Sequence, residues 1–259
     1  MSIKDELIKK YSRNSKHSNY QVLSSKLQDI IELGEVETRT RFEVERLAYI
    51  IKKIQIQGKT ILDIGGNTGF FSFEMLERGA KNVHYFEGNK EHAEFVKLAT
   101  EYLKVEDKMK ITNAYFPFDG SLNDIYDIIL LFNVLHHLGD DYGDKKITIE
   151  EVKRKIAQQI NSLSHNTDIL VFQMGFNWKG DVGQCLFNNG TKKEMIEFLK
   201  NAVATNWDIL DIGIAEKNNE VVKYVDLNEG NVERNDALGE FLNRPIFVLK
   251  SRRVRNKMV

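Results

Sequence analysis

Cysteine and proline are almost missing from this chain. Its one cysteine, Cys185, has no partner for an intrachain disulfide. Such usage suits a reducing compartment, so a cytoplasmic location is expected. Only Pro117 and Pro245 occur, and no Pro- or Ser-rich linker, internal repeat or low-complexity run interrupts the sequence. Long apolar runs are missing too: nothing approaches the roughly 20 residues that span a bilayer. The opening MSIKDELIKKYSRNSKHSNYQ holds no apolar signal-peptide core, so neither targeting nor membrane insertion is expected. Nor is there an excess of one charge. The net charge of −1 disfavours a nucleic-acid binder that relies on a general basic surface. Two basic features remain, residues 1–59 with 12 Lys/Arg against 8 Asp/Glu and the tail KSRRVRNK. Both read as solvated surface, with a phosphate-bearing substrate or RNA as the alternative.

What is present is core-forming material. The 259 residues are 42% hydrophobic and 29% charged, enough for one large α/β unit or two small ones. In VETRTRFEVERLAYIIKKI, Val44, Leu47, Ile51 and Ile54 recur at helical spacing, which predicts a helix with that stripe turned inward. From residue 58 the period changes. Short apolar runs at 60–65, 82–88, 109–114, 126–134 and 168–176 alternate with amphipathic segments at about 69–79, 89–104 and 148–163. This rhythm predicts a doubly wound, mostly parallel α/β sheet with helices on both faces. A further helix near 191–204 precedes runs at 207–216 and 244–252, which a polar stretch without a convincing helix connects. These two should close a seven-stranded sheet as an antiparallel pair, the last strand running against the rest. The expected organisation is an N-terminal helical lid, residues 1–57, on a single globular unit, residues 58–259. Residues 177–190 read as a loop longer than a connection requires.

The stretch TILDIGGNTGFF, residues 60–71, runs from an apolar strand into a glycine-rich turn. No lysine follows in the spacing a P-loop needs. A dinucleotide fingerprint fails in both registers, because its later glycines would fall on Asn67 and Phe70 or on Thr68 and Phe71. What remains is an acid two residues before a glycine and a second glycine four further on: Asp63, Gly65, Gly69. Glycines there let the main chain approach a ligand, and the following helix start offers free N–H donors.

This pattern resembles motif I of the class I, Rossmann-like S-adenosylmethionine-dependent methyltransferases, and later segments extend the resemblance. The second strand ends at Glu87, 22 residues after Gly65; in that family the corresponding acid binds the cofactor ribose. The third ends in Asn113-Ala114, where the family commonly has an aspartate and a small residue near the adenine amine. The fourth runs YDIILLFNVLHHL, and VLHHL recurs in the family after this strand. The resemblance implies a cofactor site of Asp63, Gly65, Gly66, Asn67, Gly69, Glu87, Asn113, Ala114 and Asn133, with Asn133 beside the sulfonium. It covers about residues 58–175 and the sheet-closing pair.

Methyl transfer from a sulfonium is an in-line displacement that needs alignment and, for a hydroxyl nucleophile, a proton acceptor. His136 and His137 are candidate bases, with a lean to His137, and a packing or turn-capping role for either stays open. Asp140, Asp141 and Asp144 read as a hydrated acidic loop, and no metal is expected. Lys16, His17, Tyr20, Gln21, Arg39, Arg41 and Arg46 lie in the lid segment, and arginines suit an acceptor bearing phosphate or carboxylate. Tyr20, Arg46, Gln173 and Trp178 are the candidate acceptor contacts, Trp178 as a stacking ring. The expected reaction is O-methylation of a small-molecule acceptor such as a sugar or sugar-phosphate. A tRNA-modifying enzyme is the alternative, were Arg252, Arg253 and Arg255 to join the N-terminal cations in one patch. A non-catalytic S-adenosylmethionine-binding module is the third reading.

Overall fold

The computed structural model describes residues 2–12, 21–30 and 40–253. Tyr20, Lys16, His17, Arg39 and Arg255 lie outside these residues. Among the described residues one eight-stranded sheet has the order β3-β2-β1-β4-β5-β8-β6-β7. Its strands are β1 (Thr60–Ile64), β2 (Asn82–Phe86), β3 (Met109–Thr112), β4 (Tyr126–Phe132), β5 (Thr167–Gln173), β6 (Trp207–Asn218), β7 (Val221–Asp226) and β8 (Ile246–Ser251). Strands β1 to β5 pair in parallel, while β8 runs antiparallel to both β5 and β6.

The central strands are apolar on both faces, as parallel strands covered by helices must be. In β4, Ile128 and Leu130 face one layer while Ile129 and Leu131 face the other. The first layer holds α3 (Glu43–Lys53) and α4 (Phe70–Glu77), with α5 (Lys90–Leu103) beside them. The second holds α6 (Ile149–Ser162) and α7 (Lys192–Val203), which bring Val152, Ile156, Ile160, Met195 and Leu199. Both of these begin with a capping box, Thr148 with Glu151 and Thr191 with Glu194. Such boxes satisfy otherwise orphaned backbone donors.

The helices α1 (Ile3–Tyr11) and α2 (Ser25–Ile30) pack into the domain. Leu7, Tyr11, Leu23 and Leu27 are buried with Phe73, Tyr85 and Phe95, and Lys10 pairs with Glu94 on α5 at 2.8 Å.

Two expectations are corrected. The sheet has eight strands, because β6 runs on to Asn218, turns at Asn219 and Glu220 with φ of 47° and 68°, and returns as β7. Positive φ at both central positions is the requirement of a type I′ hairpin, usually met by Asn-Gly. A glutamate in the second position conceals the signal. The second correction concerns α3: it forms, but Val44 is 57% and Ile51 38% exposed. Its buried face is Glu43, Arg46, Leu47, Tyr49 and Ile50. Counting apolar residues rotated the helix wrongly, because two charged side chains occupy the inward face.

Candidate active site

Ligands of open α/β sheets bind beyond the strand carboxyl ends where the strand order reverses. Here that point lies between β1 and β4, and a cleft of about 500 Å³ opens there. Its floor is the glycine turn. Gly65 has φ +72° and receives Val134 so closely that a Cβ would lie 2.5 Å from Val134 Cγ2. A Cβ on Gly66 would fall 2.5 Å from the Tyr85 ring and 2.9 Å from Asp63 Oδ2. Neither position tolerates a side chain. Gly69, at φ +81°, precedes α4 and shapes the turn without lining the cleft. Gln21 reaches in from the N-terminal segment, and its Oε1 accepts from Thr68 Oγ1 and Phe70 N, both at 3.0 Å. It therefore caps the start of α4 and forms part of the cleft wall.

The acids flank this turn. Asp63 is buried and accepts from Ser72 Oγ at 2.7 Å. Burial pushes its carboxyl up to about 6, with the nearby Glu87 adding and the Ser72 bond opposing. Glu87 ends β2 and accepts from Asn67 N at 2.9 Å and Asn89 N at 2.7 Å, one on each oxygen. These bonds hold the carboxylate in place at the cleft, and a carboxylate oxygen can accept from more than one donor. Ala114 lines the cleft. Asn113 does not; its Nδ2 donates to the Glu87 carbonyl at 2.8 Å and ties β3 to β2.

At the exit of β4, Asn133 takes φ +59°. Its Oδ1 accepts from Arg244 Nη1 at 2.7 Å and its Nδ2 donates to Gln173 Oε1 at 3.2 Å. Gln173 is fully buried and also binds Arg46 Nη1 at 3.4 Å and the Arg244 carbonyl at 3.0 Å. It thus stands behind the cleft wall as a junction. Arg46 does line the cleft.

The histidines separate in role. His136 also touches the cleft but is almost wholly buried, and its Nδ1 accepts from Gly175 N at 3.2 Å. The nitrogen that would have to act as base is therefore engaged. His137 lines the cleft with Nδ1 3.5 Å from Asp141 Oδ2 and 3.8 Å from Asp140 Oδ2. Both carboxylates thus lie on the Nδ1 side of the ring, beyond ordinary hydrogen-bond length. His137, Asp140 and Asp141 bring their donor atoms within 4.8 Å of one another. Asp144 is not in this group; its Oδ1 accepts from Lys146 N at 2.9 Å within a turn.

Trp178 does not present a stacking face. It is packed into the core and donates from Nε1 to the Leu138 carbonyl at 2.6 Å. It anchors the loop 177–187 from below, and Asn177, Lys179, Gly180 and Val182 of that loop form the rim. Arg252 and Arg253 bind Asp208 and Asn206 at the start of β6. Because β8 runs antiparallel to β5, its end lies across the sheet from the cleft. Among the described residues, these two arginines do not join Arg41 and Arg46.

Arginine 244, Phe241 and Glu240, all on the wall, were missed by the sequence reading. They follow no motif and reach the cleft only through the antiparallel return of the chain into β8.

An open parallel sheet with a glycine turn at the reversal point and a strand-end acid beside it defines a Rossmann-like, nucleoside-binding α/β enzyme. A close-packed glycine turn at the cleft floor, with Asp63, Gly65, Gly66, Asn67 and Glu87 all on the lining, fits S-adenosylmethionine. The methyltransferase-domain family model matches residues 36–174, and the chain belongs to that family: it is a class I S-adenosylmethionine-dependent methyltransferase. Among curated proteins, none matches the sequence significantly.

Solved structures share the fold at low identity. The bifunctional kinase-methyltransferase WbdD is 10% identical with a TM-score of 0.61, over 95% of this chain and 46% of that one. This chain therefore spans just under half of WbdD. A Streptococcus mutans protein assigned as an S-adenosylmethionine-dependent methyltransferase is 12% identical with a TM-score of 0.51, over 79% and 48%. A Streptococcus thermophilus protein assigned as a hemolysin is 13% identical with a TM-score of 0.50, over 82% and 65%. That range of assignments shows that the fold does not name the acceptor.

Among the described residues, no helix is long and apolar enough to cross a membrane.

Proposed function

We propose that this methyltransferase acts on an oxygen of a small, polar acceptor, of the sugar or sugar-phosphate class. Bound S-adenosylmethionine supplies the electrophilic methyl group. Glu87 would accept from the ribose hydroxyls, the Gly65–Asn67 backbone would approach the amino-acid end, and Asn133 would stand beside the sulfonium. His137 takes the acceptor's proton on Nε2, and Asp140 and Asp141 stabilise the imidazolium that forms. The observation that carries the reading is the His137–Asp141 pair, 3.5 Å apart, on the wall of the cleft whose floor is the glycine turn. Polar and cationic groups at the rim, Asn177, Lys179 and Arg41, support a hydrophilic acceptor. On this reading the N-terminal segment is a lid, which its described residues Gln21 and Arg46 on the cleft wall support.

The test is methyl transfer from labelled S-adenosylmethionine to a panel of sugars, sugar-phosphates and bulk tRNA. Label in the sugar or sugar-phosphate pool, as a base-stable methyl ether, supports the proposal. Label in tRNA alone would replace it. Tight cofactor binding with no transfer to any acceptor would favour a non-catalytic role.

A further inference from the structure

The glycine turn and Glu87 do not account for the other end of the cleft, toward β5 and β8. There three guanidinium groups converge on one ring. The Cζ atoms of Arg41, Arg46 and Arg244 lie 5.1, 5.3 and 4.9 Å from the Phe241 centroid. All four residues line the cleft. Glu43 lies 3.5 Å from Arg46, and Glu240 binds Arg244 through Nε and Nη2.

Arg46 is the exposed weakness of this arrangement in energetic terms, although it is only 3% accessible to solvent. Its Nε has no hydrogen-bond partner. Its other contacts are long, 3.4 Å to Gln173 and 3.5 Å to Glu43. Burial lowers its pKa, Glu43 opposes this, and Arg244 and Arg41 add to it. A desolvated guanidinium with a bare N–H is costly unless an acceptor arrives. A planar donor fork on the wall of a cleft matches carboxylate and phosphate oxygens.

We propose that Arg41, Arg46 and Arg244, grouped around Phe241, form an oxyanion subsite that takes a carboxylate or phosphate monoester group. In methyl transfer two molecules carry such a group to this cleft: the cofactor, through its amino-acid carboxylate, and an acid-bearing acceptor. Only this choice of molecule rests on the function proposed above; the subsite itself is tested with inorganic phosphate.

The experiment uses the full chain, its Arg46→Met variant, and Arg41→Gln as a second variant at a half-exposed position. Thermal melts are recorded with inorganic phosphate and with chloride at matched ionic strength, with and without S-adenosylhomocysteine. Calorimetry then compares S-adenosylhomocysteine with methylthioadenosine, which lacks the carboxylate.

If the oxyanion belongs to the acceptor, phosphate stabilises the S-adenosylhomocysteine-loaded wild type and the effect is lost in both variants. If it belongs to the cofactor, Arg46→Met weakens S-adenosylhomocysteine about tenfold or more, leaves methylthioadenosine unchanged, and phosphate acts only on the unloaded protein. Either result supports the subsite. Phosphate indistinguishable from chloride, together with unaltered S-adenosylhomocysteine affinity in both variants, overturns it. A wild type that binds no S-adenosylhomocysteine counts against the methyl-transfer reading alone, and the phosphate arm still decides the subsite.

Discussion

Arg244 holds Asn133 by its side-chain oxygen, Nη1 to Oδ1 at 2.7 Å, across 111 positions of sequence. The same guanidinium is gripped by Glu240, and the other side of the Asn133 amide donates to Gln173. The residue at the exit of β4 is therefore clamped on both sides. Removing the guanidinium in Arg244→Met leaves two acceptors without their charged donor. Unfolding free energy should fall by about 1–3 kcal/mol in urea melts. Arg244→Lys should recover only part of it, since a point charge cannot serve both partners at once. Wild-type stability in Arg244→Met would show that the clamp does not matter.

Gly65 combines a left-handed backbone with a close neighbour, Val134. Gly65→Ala should cost at least about 1–2 kcal/mol of stability for the positive φ alone. It should also abolish measurable S-adenosylhomocysteine binding by calorimetry. A stable variant with intact binding would place the cofactor elsewhere.

Glu87 already holds two backbone N–H groups, so its carboxylate arrives at the cleft positioned. Glu87→Gln should weaken S-adenosylhomocysteine by about 1–3 kcal/mol, with the fold retained by circular dichroism. Unchanged affinity removes the ribose role.

His137→Ala should lower turnover about 10²–10⁴-fold with little change in cofactor affinity. His136→Ala should instead lower stability, because it empties a buried site and strands Gly175 N. Prior treatment with a chelator should leave wild-type turnover unchanged. A loss restored by a divalent cation would turn His137, Asp140 and Asp141 into a metal site.

Asp63 has a folded-state pKa of about 6 against an ordinary 3.8, so the native state binds the extra proton between those values. The sign follows: the native state is favoured at low pH, and stability is lost as pH rises from near 4 toward 6. Asp63→Asn removes this dependence. Its stability relative to wild type should therefore improve on going from pH 4 to pH 7, by up to about 3 kcal/mol for a shift of this size. Parallel profiles for the two proteins would contradict the shift.

The alternation of apolar runs and amphipathic segments was enough to place β1 to β6, β8 and the helices α4 to α7, because each is a local pattern with its own period. The resemblance pointed to Asp63 and Gly65 through motif I and to Glu87 through its place at the end of the second strand, since a glycine turn and a strand-end acid are each written in a few neighbouring residues. Helix α3 was found but turned the wrong way: the burial of Glu43 and Arg46 depends on what faces them, not on their own polarity. The hairpin to β7 passed unseen because Glu220 adopts a conformation that sequence normally reserves for glycine or asparagine.

Trp178 shows the same limit at the site. An aromatic residue in a loop reads as a platform, yet its indole N–H meets the Leu138 carbonyl and pulls the ring into the core. His136 and His137 are neighbours of equal chemistry. Only a backbone N–H from Gly175 on one and carboxylates on the other distinguish them. The arginine cluster around Phe241 belongs wholly to the tertiary structure. Its members come from residues 41, 46 and 244, and the antiparallel entry of β8 beside β5 brings the last of them to the first two. Periodicity and short motifs record what neighbouring residues do together; which distant charges share one cleft wall is decided when the sheet closes.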